Sequence, residues 1–186
     1  MGALIAARMA STAEMMTCFD DAALVGAALQ FERELAAALA EHGVIAPEAA
    51  AAVARTCDDF DSTGLGDAAA HAGTLAIPLV ARLRAAMPAE HAGAVHLGAT
   101  SQDVADTALV LQIARAMPLV AGELAALADS LAGLARAHAA TPALARTLLQ
   151  PAELISFGAR AASWLLVVDA AAARLVREHR AASQLA

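Results

Sequence analysis

The chain has 186 residues, enough for a domain with a substantial core, and a formal net charge of −7 in which all twelve basic residues are arginine. That acidic balance, with no basic stripe and only 3% aromatic residues, argues against nucleic acid as a partner and for a small polar or anionic ligand. Hydrophobic residues make up 60% of the sequence, but the longest run free of Asp, Glu, Lys and Arg is Ala68–Ala81, shorter than the ~20 residues a spanning helix needs. Met1–Ser11 also lacks the order of a signal peptide, so a cytoplasmic protein with no membrane partner is expected.

A core built from alanine, leucine and valine, with few β-branched or aromatic residues, predicts an all-α fold. In chain order, Asp20 and Asp21 open a helix over Ala22–Glu41 that Gly43 closes, and Pro47 starts a shorter helix running to about Cys57. Asp58–Gly66 reads as a loop. A helical segment over Asp67–Met87 is expected to be interrupted at Ile77-Pro78, because proline disfavours helix in the residue before it. Cys18 and Cys57 form no Cys-x-x-Cys pair and no histidine cluster accompanies them, so they read as buried small residues and no metal site is expected.

Pro88–Gly98 leads into the most informative stretch, Val95–Thr107. Thr100 and Asp103 stand in capping-box spacing at the start of a helix predicted from Ser101 to about His138, kinked rather than ended at Pro118. Two readings fit: an ordinary capped helix, or an anion site in which free N–H groups, the Thr100 and Ser101 hydroxyls and the helix dipole hold a carboxylate or phosphate. Ala139–Gln150 then reads as a connector. A second long helix is expected from about Pro151, with Glu153 in its first turn, to about Ser183. Both long helices carry apolar residues around much of their circumference and call for neighbours on several sides, so self-association is expected.

His96-Leu97-Gly98-Ala99-Thr100-Ser101-Gln102-Asp103, followed by Asp106-Thr107, resembles the first signature region of the fumarase/aspartase superfamily, in the form found in 3-carboxy-cis,cis-muconate cycloisomerases and adenylosuccinate lyases. Phe31-Glu32-Arg33-Glu34-Leu35 leading to Gly43-Val44-Ile45 and Pro47 resembles the family's opening helix, and Ala76-Ile77-Pro78-Leu79-Val80 a cycloisomerase element. Ala145-Arg146-Thr147-Leu148-Leu149-Gln150-Pro151-Ala152 with Ser156-Phe157-Gly158 resembles the second signature region. Four elements in this order are a specific match.

The resemblance implies an N-terminal helical domain over residues 1–100 and the first two long helices of a central bundle over 101–186, within a homo-oligomer that is a tetramer in the intact family. It implies a small polycarboxylate substrate bound by His96, Thr100, Ser101, Gln102, Arg146 and Thr147, with no metal or organic cofactor. His96 also fits a structural histidine that orients a turn, and Arg146 a surface arginine. Relatives of the lyase type carry an acid–base histidine where this chain has Leu148. That favours lactone closure by a cycloisomerase over a C–N lyase of the adenylosuccinate type, although Thr74 stands where many cycloisomerases have asparagine. The family's third signature, a mobile Gly- and Ser-rich loop, has no counterpart here, so the catalytic acid and base stay unassigned. The chain reads as the N-terminal portion of an enzyme or as a catalytically silent helical module.

Overall fold

The computed structural model describes residues 9–184; residues 1–8, most of the N-terminal stretch read above for a signal peptide, lie outside them. The fold is all-α apart from one short hairpin. Its elements are α1 (Ala13–Cys18), α2 (Asp21–Glu41), α3 (Pro47–Asp58), α4 (Leu65–Ala72), α5 (Ala76–Ala86), a 3₁₀ turn at Ala92–Ala94, α6 (Ser101–Ala137), β1 (Pro142–Thr147), β2 (Gln150–Ser156) and α7 (Phe157–Ala182). Two compact units part within α6, Met1–Ile113 and Ala114–Ala186.

In the first unit the helix starts follow local chemistry. Asp20 caps α2 by accepting from the Ala23 N–H at 2.8 Å, and Pro47 opens α3, where its missing N–H costs nothing. Ala28 and Ala36 of α2 and Ala49, Ala52, Val53 and Cys57 of α3 face one core. Leu79, Val80 and Leu83 of α5 and Val95 and Val104 complete it. The small alanine faces let the helices approach closely, and the leucines fill what remains.

The break expected at Ile77-Pro78 lies instead at Gly73-Thr74-Leu75. Gly73 ends α4 in the left-handed conformation, with φ 72°, and Pro78 sits in the first turn of α5, where no intrahelical N–H bond is forfeited. The proline therefore helps to start a helix. The loop after α3 is shorter than expected at both ends, because Asp58 still belongs to α3 and Leu65 already to α4.

α6 runs unbroken through Pro118. Val104, Ala108, Gln112 and Ala116 recur at four-residue spacing as its buried stripe, and the buried Gln112 amide donates to the Cys18 carbonyl at 3.1 Å. Counting uninterrupted runs underestimated this helix: by length and mean hydropathy it is apolar enough to cross a membrane. Its charges at Asp103, Asp106, Arg115, Glu123, Asp129 and Arg136 recur along its whole length, as suits a helix in a protein bundle.

The second unit corrects the expected start of the last helix. β1 and β2 form an antiparallel hairpin with Pro142 opposite Ser156, Leu144 opposite Leu154 and Arg146 opposite Pro151, interrupted by an irregularity between Leu144 and Arg146. Pro151 and Glu153 are strand residues, and α7 begins only at Phe157, capped by the Ser156 hydroxyl, which accepts from the Ala159 N–H at 3.0 Å. In a two-stranded sheet each strand is an edge, so a proline with no donor is tolerated there. α7 returns antiparallel to α6: Gly158 touches Ala135 and Ala139, while farther from the hairpin Met117, Leu124 and Ala128 face Val168, Ala172 and Val176 across a crevice.

Candidate functional site

The connector from the 3₁₀ turn into α6 is shaped by two left-handed residues, His96 with φ 59° and Gly98 with φ 78°. Glycine takes that conformation freely, whereas a histidine there must be held by its surroundings. Two long-range contacts do so. Arg84 of α5 donates to the Val95 carbonyl at 2.9 Å, and His96 Nδ1 lies 2.6 Å from Oε1 of Glu32 on α2. Phe31 packs edge-on to the imidazole, with ring centroids 6.5 Å apart.

Glu32 is fully buried, and its second oxygen, Oε2, has no hydrogen-bond partner among the described residues. The histidine side chain keeps a little exposure, so the pair spans from the core to the surface. A carboxylate in such a place is destabilising unless compensated, and among the described residues the imidazole is the group within hydrogen-bond reach to compensate it.

Two residues beyond Gly98 the capping box forms as its spacing predicts. Asp103 Oδ2 accepts the Thr100 N–H at 2.6 Å, and Thr100 Oγ1 accepts the Asp103 N–H at 3.4 Å. The Thr100 backbone and hydroxyl, helped by the nearby His96, hold the Asp103 carboxyl below its ordinary value of 3.8. A depressed carboxylate stabilises the folded state above that ordinary value, and the contribution is lost as pH falls through the lowered one. The Thr100 hydroxyl is thus engaged with Asp103 twice, accepting its N–H and helping to lower its carboxyl pKa. The first two N–H groups of α6, those of Ser101 and Gln102, point out of the helix end. Gln102 itself is drawn along α6, its amide donating to Asp106 at 2.6 Å.

The expected site residues thus fall into two sets. His96, Thr100, Ser101 and Gln102 are gathered at the mouth of α6 in the first unit, whereas Arg146 and Thr147 lie at the exposed end of β1 in the second. Leu148 and Leu149 form the tip of that hairpin and are 89% and 99% exposed, with Leu149 at φ 58°. Leu148, the position where lyase relatives carry histidine, is therefore accessible but has no group that can transfer a proton. Among the described residues no cluster of three His, Cys, Asp or Glu side chains could hold a metal ion.

Glu32 was missed as a site residue, although its helix was recognised. Ala28, Glu32 and Ala36 share one buried face of α2 at four-residue spacing, and an acid inside an alanine stripe is the signal that could have singled it out.

The long helices have the form of part of a helical bundle, and comparison with known proteins gives the family. Residues 8–185 match the family described as Lyase, and the chain belongs to this family within the fumarase/aspartase superfamily. A 3-carboxy-cis,cis-muconate cycloisomerase of Pseudomonas aeruginosa is 42% identical over 158 residues, covering 82% of this chain and 34% of that protein. One from Bradyrhizobium diazoefficiens is 40% identical over 179 residues, covering 94% of this chain and 40% of its own length. The crystal structure of the 3-carboxy-cis,cis-muconate lactonizing enzyme from Pseudomonas putida superposes with a TM-score of 0.82 at 38% identity, over 90% of this chain and 39% of that one. The chain therefore spans about a third to two-fifths of the length of these relatives.

Proposed function

We propose that the chain supplies the carboxylate-binding mouth of a 3-carboxy-cis,cis-muconate cycloisomerase, a soluble cytoplasmic enzyme of aromatic-acid breakdown. In the reaction a carboxylate oxygen of the substrate adds across one of its own double bonds and the adjacent carbon takes up a proton, closing a lactone. The Thr100 and Ser101 hydroxyls and the first N–H groups of α6 hold one substrate carboxylate, and His96 and Gln102 border it; Arg146 and Thr147, in the second unit, are carboxylate-binding residues in their own right. Residues 1–100 act as the N-terminal helical domain and 101–186 as the first two long helices of the central bundle. The observation that carries this reading is the first signature region folded as a capped helix mouth, with the N–H groups of Ser101 and Gln102 available in the first turn. Leu148 supports lactonisation over a C–N lyase, because a substrate that provides its own nucleophilic carboxylate does not need the lyase histidine.

Titration with 3-carboxy-cis,cis-muconate, followed by calorimetry or amide shifts, tests the mouth. Saturable binding that disappears when Thr100 and Ser101 are both replaced by alanine, with the helical circular dichroism retained, is the expected result; binding unchanged in that variant removes the assignment. Assembly through the second unit is part of the same reading, since Trp164, Leu166, Val167 and Val176 of α7 are exposed. Light scattering at micromolar concentration should show an oligomer, a tetramer in the intact enzyme, and a monomer would remove that part.

A further inference from the structure

We infer that Glu32 is the positioning residue of this mouth: its buried carboxylate holds the Nδ1 proton of His96, so that Nε2 is the only ring nitrogen free to exchange a proton or meet a ligand there. The inference rests on the carboxylate-site reading and adds to it a residue on a different element, 64 positions away in sequence.

Three observations converge on the pair. The 2.6 Å contact between Nδ1 and Oε1 is the short separation of a charge-assisted hydrogen bond, and a carboxylate can only accept, so the proton lies on Nδ1. The Glu32 side chain is fully buried and Oε2 has no partner among the described residues, so of these the imidazole is the one group hydrogen-bonded to this buried acid. His96 is also held at φ 59°, a conformation a non-glycine residue keeps only when its surroundings over-determine it. A histidine needed only to fill space would require neither the backbone strain nor a buried acid.

The consequence is chemical. An imidazole with both nitrogens free exchanges between two tautomers and presents either atom, whereas one whose Nδ1–H is bonded to a carboxylate presents Nε2 alone. When Nε2 is protonated, the positive ring faces a substrate carboxylate while Glu32 balances its charge from behind. When Nε2 is bare, it can accept a proton. Glu32 touches no substrate in either state, and its effect is exerted through His96.

Ring-nitrogen NMR on the 186-residue chain tests this directly, with the His96 signals assigned by their loss in His96→Asn. In the pH range where the ring signals show a single proton, the expected spectrum has His96 protonated on Nδ1 and bare on Nε2. A wild-type His96 protonated on Nε2 overturns the inference without need of a Glu32 variant. Glu32→Gln keeps an acceptor oxygen and should retain the tautomer, while Glu32→Leu should release the ring to the Nε2–H form; an unchanged tautomer in Glu32→Leu also overturns it. If Glu32→Leu does not fold, the wild-type and Glu32→Gln spectra decide.

Tricarballylate is the probe for the mouth. Its affinity should fall by about tenfold in Glu32→Leu, comparable with the loss of a supporting partner of a ligating histidine, and should be largely kept in Glu32→Gln. If the wild type binds no tricarballylate, the carboxylate-site reading fails, and the tautomer still settles the role of Glu32 separately.

Discussion

The two units of this chain are made from the same amino acids but bury them very differently. In the first, Val53, Leu79, Leu83, Val95 and Val104 are fully enclosed among alanine faces from several helices. In the second, the buried hydrophobic residues among those described are Ala116, Leu131 and Ala161, while Leu127, Leu154, Trp164, Leu166 and Val167 stand exposed. A core needs elements meeting from several directions, and two antiparallel helices with a hairpin supply too few. Alanine-rich composition makes helices in both units, but only the number of neighbours makes a core.

The largest break in this comparison should come from Leu83→Ala, which empties a fully buried site and should cost about 2–5 kcal/mol in a denaturant titration. Leu166→Ala, at a 70% exposed position of the second unit, should stay within about 0.5 kcal/mol in the monomer. Equal losses for the two would mean that the units do not differ in packing as described.

Gly158→Ala sharpens the contrast from the other side. A Cβ there would lie 2.5 Å from the Ala135 carbonyl oxygen and 2.8 Å from Ala139 backbone atoms, so the backbone must shift, at a cost of about 1–3 kcal/mol. The sparsely packed unit thus has a tight contact of its own, and helical circular dichroism during melting should show α7 separating earlier in the variant.

Thr100→Ala should cost about 1 kcal/mol by removing the cap of α6. It should also raise the Asp103 titration toward 3.8, measurable by carboxyl carbon NMR, since the Thr100 hydroxyl helps to hold that carboxyl down. An unmoved titration would mean that the box is open in solution.

The smallest effect is alkaline. Burial raises the Cys57 thiol from its ordinary value of 9.0 to about 11, so its contribution to stability is complete below pH 9.0 and is lost as pH rises through the folded value near 11. The chain contains no lysine and no tyrosine to obscure this, so wild type should lose stability across that window more steeply than Cys57→Ala. Parallel curves would show that the thiol is not buried in the core of the first unit.

What could be read from sequence was chiefly what is local. The cap at Asp20, the opening proline of α3, the Thr100–Asp103 box and the continuity of α6 all depend on hydrogen bonds or steric limits spanning about four residues, and each formed as expected. The family match was legible for a related reason, since its signature segments are contiguous stretches. Where a local signal had two meanings the reading failed: Pro151 fits a first helical turn and equally an edge strand, and only pairing with Arg146 across the hairpin chose between them. Pro78 likewise fits a break or a first turn, and the left-handed Gly73 decided it.

The site divides along the same line. The residues at the mouth of α6 could be named from one segment, but the buried acid behind His96 comes from α2, and no periodicity links Glu32 to His96. Sequence by itself determined that the chain is helical, where α2, α3 and α6 start and which family's segments it carries, because those properties are set by neighbours along the backbone. Tertiary structure alone decided that an acid would be enclosed in an alanine face against one imidazole, because burial and the loss of water around a charge exist only once separate helices have come together.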